Sequence, residues 1–203
     1  MSENNILGVI LAGGKSKRFG EDKSKVNLDG KTLLEHTLNK IKSKFKTIVI
    51  ISNSINLKNH IIIEDCIDGQ LGPLVGVLSA MKWVKKNNYS FKWIATFPCD
   101  TPFFDNSLID KFIESSKSND SLLYFAKSEK KRHNIFGLWS IKLIETLEND
   151  ITKNNHRKVE KWANKIGVKL INISYKDLDP FFNINTKEDL VEAEKILISY
   201  KND

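Results

Sequence analysis

Three short polar clusters hold the residue types that could carry out chemistry. The first is "LAGGKSKRFGEDKSK", Leu11 to Lys25, which follows an apolar run and sets three glycines among Lys15, Lys17, Arg18 and Lys23. Exposed backbone N–H groups and fixed positive charge both suit an anion, phosphate first among them. Its spacing, Gly13-Gly14-x5-Gly20 with Glu21 next, is neither a Walker P-loop nor the dinucleotide G-x-G-x-x-G, which disfavours a P-loop kinase or a nicotinamide dehydrogenase. The second is "TFPCDTPFF", where Pro98 and Pro102 restrict the backbone on either side of Asp100. A carboxylate held there, facing a phosphate loop, suits Mg²⁺, which takes one or two carboxylates and fills its other positions with phosphate oxygens and water. Without the loop, Asp100 reads as a turn residue. The third is "FFNINTKEDL", in which alternation puts the amides of Asn183 and Asn185 on one face. They either orient a polar ligand or satisfy local turn hydrogen bonds.

The elements that must position these clusters follow from periodicity. Apolar, β-branched runs predict strands at 6–11, 47–52, 61–63, 93–97, 122–126, 134–139 and 168–173. Helical stripes lie between them: Leu74, Val77, Leu78, Met81 and Val84, then Val159, Trp162, Ala163 and Ile166, with further helices predicted at 31–43, 106–117, 140–149 and 187–200. Pro73 suits a first helical turn, where its missing N–H costs nothing. "TKED" predicts a capping box at the start of the last helix. This alternation predicts an α/β domain with a mainly parallel central sheet flanked by helices. Ligands of such sheets sit outside the carboxyl ends of the strands. The length, 203 residues without a Pro/Gly/Ser-rich linker, predicts one domain, 1–203.

Composition removes several function classes. Cys66 and Cys99 lack a Cys-x-x-Cys spacing, so neither a zinc site nor a disulfide scaffold is indicated, and reduced thiols are expected. His36, His60, His133 and His156 form no metal-binding pattern. The polar start "MSENN" and the lack of a long apolar stretch predict a cytoplasmic protein without a signal peptide or membrane span. The net charge of +7 is interleaved along the whole chain rather than gathered in a patch, which speaks against a nucleic-acid role. Of the 32 basic residues only Arg18, Arg132 and Arg157 are arginine. A guanidinium grips a phosphate by two parallel hydrogen bonds where lysine offers a point charge, so these three are candidate phosphate ligands.

"LAGGKSKRFGEDK", "GPLVG", "PCDTPF", "HRKV" and "FFNINTKEDL", in this order, resemble the molybdenum cofactor guanylyltransferases. The first motif is shared by many nucleotidyltransferases; the other four narrow the match, which spans nearly the whole chain. The resemblance implies a Rossmann-like nucleotidyltransferase fold and transfer of GMP from GTP to molybdopterin, giving the guanine dinucleotide and pyrophosphate. It implies that Leu11, Ala12, Gly13, Gly14, Lys23, Asn53, Asp65 and Asp100 contact the nucleotide, that Asp100 holds Mg²⁺, and that Arg157, Asn183 and Asn185 serve molybdopterin. It also implies transient contact with other proteins of molybdenum cofactor biosynthesis. Ile51 and Asn134 depart from the family pattern. A phosphate monoester is already anionic near neutral pH, so such a reaction needs no protein nucleophile. Catalysis reduces to alignment and charge neutralisation, for which Arg18, Lys23 and Asp100 are the candidates. Two alternatives remain: a transferase using CTP or another phosphorylated acceptor, and a nucleotide-binding module without activity.

Overall fold

Short β-branched runs and amphipathic helices alternate along most of the chain, and this pattern builds a sheet covered on both faces. The structure, a computed structural model, describes residues 5–13, 23–69, 71–118, 120–129, 131–176 and 178–202. The strands are β1 (Ile6–Leu11), β2 (Asn27–Leu28), β3 (Lys31–Thr32), β4 (Ile48–Ile51), β5 (Ile61–Ile63), β6 (Trp93–Pro98), β7 (Leu123–Ser128), β8 (Lys131–Ser140) and β9 (Lys169–Ile173). The helices are α1 (Leu33–Ile41), α2 (Pro73–Lys86), α3 (Asn106–Ser118), α4 (Ile144–Thr152), α5 (Val159–Ile166) and α6 (Lys187–Asn202).

Seven strands form the main sheet in the order β5-β4-β1-β6-β8-β7-β9. Every neighbouring pair is parallel except those made by β8, which runs against both β6 and β7. The sheet is therefore mainly parallel, with one reversed strand. Alternation along β1 feeds two cores: Ile6 and Ile10 pack with Leu34, Leu38, Phe97, Phe104, Leu108 and Phe112 beneath α1 and α3. Leu7 and Val9 join a cluster with Leu74, Leu78 and Met81 of α2, Leu147 of α4, Trp162 of α5 and Trp139 of β8. An interior strand, buried on both faces, suits this apolar sequence. α6 closes a smaller cluster in which Ala193 and Ile184 meet Val26, Leu28 and Leu33.

Several boundaries differ from the periodicity reading. The strand expected at 134–139 begins at Lys131, so Arg132 and His133 belong to the sheet. The first part of the helix expected over 140–149 is a 3-10 turn at Ile141–Leu143, and α4 runs on to Thr152. The helix expected from residue 31 starts at Leu33, because 27–28 and 31–32 pair as a two-stranded hairpin. Asp29 and Gly30 form its tip with φ of 53° and 77°. Asp-Gly is the sequence signal for such a turn. Thr32 and Glu35 then cap α1 reciprocally, and the expected cap of α6 is present as Thr186 and Asp189, whose side chains each accept the other's backbone N–H. Among the described residues, no helix is long and apolar enough to cross a membrane.

Candidate active site

The parallel register brings Leu11 level with Ile51 and Pro98, and Ile51 level with Ile63, so four strands end along one edge. Backbone hydrogen bonds carry the ladder one residue further. Ala12 N–H donates to Ile51 O at 3.0 Å, Ser52 N–H to Ile63 O at 3.0 Å and Cys99 N–H to Leu11 O at 3.3 Å. The start of the glycine loop and the approach to Asp100 are thus fixed side by side by main-chain geometry.

Beside them, Asn53 and Asp65 form a pair across the ends of β4 and β5. Asp65 N–H donates to Asn53 Oδ1 at 2.8 Å and Asn53 Nδ2 donates to Asp65 Oδ2 at 3.3 Å. Burial pushes the Asp65 carboxyl above its usual value, partly offset by the hydrogen bond from Asn53. Helix α2 approaches this edge closely at Gly76. A Cβ there would lie 3.0 Å from Leu11 Cδ2, 3.2 Å from Ile51 Cγ2 and 3.8 Å from Asp65 Oδ1, so the absent side chain is what lets the helix reach the strand ends. Gly72 precedes α2 with φ of 93°, a conformation that favours glycine, and Pro73 opens the helix as expected.

Asp100 is half-buried just beyond β6, with Thr101 Oγ1 3.4 Å from its Oδ1. Its carbonyl accepts the Ile184 N–H at 2.8 Å. That bond brings the third cluster to the second across 84 positions of sequence. Ile184 is buried, while Asn183 is exposed and Asn185 half-exposed on either side of it, so the two amides lie off the core as alternation requires, although no strand forms. Asn185 Nδ2 also lies 3.5 Å from Asn183 O, and Asn185 N–H donates to Asp189 Oδ2 at 2.8 Å.

The arginines separate into different environments. Arg157 Nη1 donates to Ile151 O at 2.7 Å and His156 O at 2.9 Å, capping the carboxyl end of α4, and its own carbonyl sits 3.6 Å from where a Gly72 Cβ would stand. Arg132 is held more completely: Nε donates to Asn134 Oδ1 at 2.7 Å, Nη1 to Asn164 Oδ1 at 2.8 Å and Nη2 to Glu160 O at 3.4 Å. Its fork joins β8 to α5. Arg18 and Gly14 lie outside the described residues, as does the side chain of Lys23, whose backbone opens a 3-10 turn.

Two features were not foreseen from sequence. Asp150, 2% exposed, accepts hydrogen bonds from Asn154 Nδ2 at 2.7 Å, Trp162 Nε1 at 3.0 Å and Lys165 Nζ at 2.6 Å. Burial alone would raise its carboxyl; the bonds from Lys165, Asn154 and Trp162 outweigh that and leave it below its usual value. Its carbonyl also accepts the His156 N–H at 2.9 Å, so one residue organises the turn that carries Arg157. The other feature is His133, which stacks on Phe181. Neither has a local sequence signal, because the partners come from separate elements.

Among the described residues, no group of three or more His, Cys, Asp or Glu could by itself hold a metal ion. A single half-buried carboxylate at a strand end such as Asp100 does fit Mg²⁺ bound jointly with nucleotide phosphates, since that ion keeps most of its coordination for phosphate oxygens and water.

Comparison with known proteins gives a consistent picture. The sequence model of the MobA-like NTP transferase domain matches residues 8–166. The molybdenum cofactor guanylyltransferase of Rhizobium johnstonii is 32% identical over 202 residues, covering 97% of this chain and 95% of that protein. That of Nitrobacter hamburgensis is 30% identical over 194 residues, 93% of each. Among solved structures, molybdopterin-guanine dinucleotide biosynthesis protein A from Archaeoglobus fulgidus superposes with a TM-score of 0.76 at 22% identity, over 95% of this chain and 99% of that one. The 4-diphosphocytidyl-2C-methyl-D-erythritol synthase of Anaerococcus prevotii superposes at 0.68 with 14% identity, over 95% and 98%. The fold is thus the Rossmann-like α/β fold of nucleotidyltransferases.

Proposed function

Because the chain belongs to the family of MobA-like NTP transferases, we propose that it transfers GMP from GTP to molybdopterin, releasing pyrophosphate and forming the guanine dinucleotide. The observation that carries this reading is the near full-length match to enzymes named for that reaction. The geometry supports it: Ala12 at the start of the glycine loop, the Asn53–Asp65 pair and the approach to Asp100 share one sheet edge, and the segment of Asn183 and Asn185 is bonded to Asp100 through Ile184.

In this reading, the backbone at Leu11, Ala12, Gly13 and Gly14 lies against the nucleotide, and Asn53 and Asp65 orient it. Arg18 and Lys23 neutralise charge on the α-phosphate and the departing pyrophosphate. Asp100 holds Mg²⁺, which when bound supplies further neutralisation of the phosphate oxygens. The segment around Asn183 and Asn185, with Arg157, receives the acceptor. The acceptor's phosphate monoester attacks the α-phosphorus, an O–P bond forms, and the bond to the bridging oxygen of pyrophosphate breaks. No protein base is required, since the attacking oxygen is already deprotonated near neutral pH. Positioning therefore supplies most of the rate. The chain acts as one nucleotidyltransferase unit in the cytoplasm and meets other proteins of cofactor biosynthesis only transiently.

A thermal-shift panel of GTP, CTP, ATP and UTP with Mg²⁺ tests the nucleotide. Specific binding raises apparent stability by about 2.7 kcal/mol at a hundredfold excess over Kd. GTP is expected to stand out. Equal shifts would reject guanylyl transfer, and a CTP preference would favour cytidylyl transfer instead.

A further inference from the structure

His133 is a polar residue to which the reaction above gives no role, yet it is held from two sides. Its residue is 9% exposed, and its ring lies face to face on Phe181 with centroids 3.8 Å apart and planes 16° from parallel. Its Nε2 lies 2.6 Å from Ser128 Oγ at the end of β7, the two sharing one hydrogen. Phe181 stands edge-on to Phe136 at 5.0 Å, and Phe136 edge-on to Phe104 at 5.2 Å and Phe97 at 6.2 Å. Phe97 and Phe104 bracket Asp100 in sequence. Three residues beyond Phe181, Ile184 donates its N–H to the Asp100 carbonyl. A path therefore runs from β7 through His133 to Phe181 by hydrogen bond and stack, then three residues along the chain to Ile184 and its hydrogen bond to Asp100.

We propose that His133 is a positioning residue for the transfer reaction: it clamps residues 181–185 against the sheet and, through Ile184, fixes Asp100 relative to Asn183 and Asn185. Its kinetic consequence rests on the transferase reading; the clamp itself does not. Histidine suits the place because one flat ring provides both the stacking face and an in-plane nitrogen for Ser128. Phenylalanine would keep the face and lose the hydrogen bond, and glutamine the reverse. Burial pushes the imidazole down to about 4, with Asp179 opposing and Lys131 assisting, so the ring is neutral around pH 7 and is stacked without burying a charge.

The test uses the full chain and the variants His133→Ala, His133→Phe and His133→Gln. Amide hydrogen exchange at Ile184 reads the clamp directly, and steady-state kinetics with GTP, Mg²⁺ and molybdopterin read its consequence. In His133→Ala, Ile184 exchange is expected to accelerate about tenfold while Val9 and Phe97 keep their protection. Turnover should fall roughly tenfold or more, with GTP affinity within about twofold of wild type. His133→Phe should restore most of both. Thermal unfolding identifies a variant that fails to fold; if His133→Ala does, His133→Gln takes its place as the variant without the stack. Unchanged Ile184 exchange, or protection lost equally across β1 and β6, would overturn the clamp. Failure of His133→Phe to recover would overturn the stacking role. A wild-type protein with no guanylyl transfer would reject the reaction instead, and exchange at Ile184 would still decide the clamp.

Discussion

The two halves of the candidate site are held in place by different means. On the side of β5, β4, β1 and β6, strand ends line up and the backbone ladder itself places Ala12, Ser52 and Cys99. Around it, in β8, α4, α5 and the segment of Phe181, side chains make the frame: Arg132 to Asn164, Asp150 to Trp162 and Lys165, Arg157 to Ile151, His133 to Phe181. The first half is a property of the sheet that any sequence of suitable pattern would form. The second depends on particular side chains meeting partners in other elements or turns. Damage on the first side should therefore strike single roles, while damage on the second should spread through positions.

The largest expected effect is on the ladder side. Asp100→Ala should lower Mg²⁺-dependent pyrophosphate release by on the order of a hundredfold or more, with little change in the thermal unfolding midpoint, because the carboxylate stands at a strand end outside the core. Assay of released pyrophosphate beside a melting curve checks both. Wild-type turnover would remove Asp100 from the chemistry.

A smaller effect of opposite character is expected from Asp150→Ala. It leaves the buried Trp162 N–H without its acceptor and removes the Asn154 anchor of the turn before Arg157, while the backbone bond from His156 N–H to the residue 150 carbonyl remains, at a cost of about 2 kcal/mol, read from urea unfolding. Lys165, half-exposed, regains water. The apparent KM for molybdopterin should rise more than that for GTP. An equal rise in both would show that the two halves are not separately framed.

The third effect vanishes near neutral pH and grows only as the solution is acidified: a pH dependence of stability. The folded imidazole of His133 binds its proton only near 4, whereas an unfolded histidine does so near 6.5. Between those values the unfolded chain holds more protons, so this residue's contribution to stability falls as pH drops through that window and levels off below it. Wild type should therefore lose stability relative to His133→Phe between pH 6.5 and 4, in paired thermal melts. The common carboxylates cancel in the comparison. A gap that stays constant with pH would contradict the buried, neutral ring.

The contrast also explains what could be read in advance. Strand runs such as Ile6–Leu11 and Trp93–Pro98, and the motif residues just beyond them, were legible because period-2 patterning and strand-end location are local properties. Asp100 and the Asn183–Asn185 pair were picked out by flanking prolines and spacing. Their mutual contact through Ile184 was not, since nothing within either segment names the other. The scarcity of arginine marks Arg132 as a candidate phosphate ligand, but nothing near it in sequence names the partners of its Nε, Nη1 and Nη2, which are Asn134, Asn164 and Glu160. Residue type does not say which partner the fold will deliver. Asp150 attracted no notice because its three partners, at positions 154, 162 and 165, come from the turn after α4 and from α5.

The most direct measurement follows the phosphorus. The purified full chain is incubated with GTP labelled at the α-phosphate, Mg²⁺ and molybdopterin, and the products are separated. Label should move to the pterin as a guanine dinucleotide, with one pyrophosphate released for each product and none without the acceptor. Label remaining in GTP, or passing to water as GMP at the same rate with and without molybdopterin, would contradict the account.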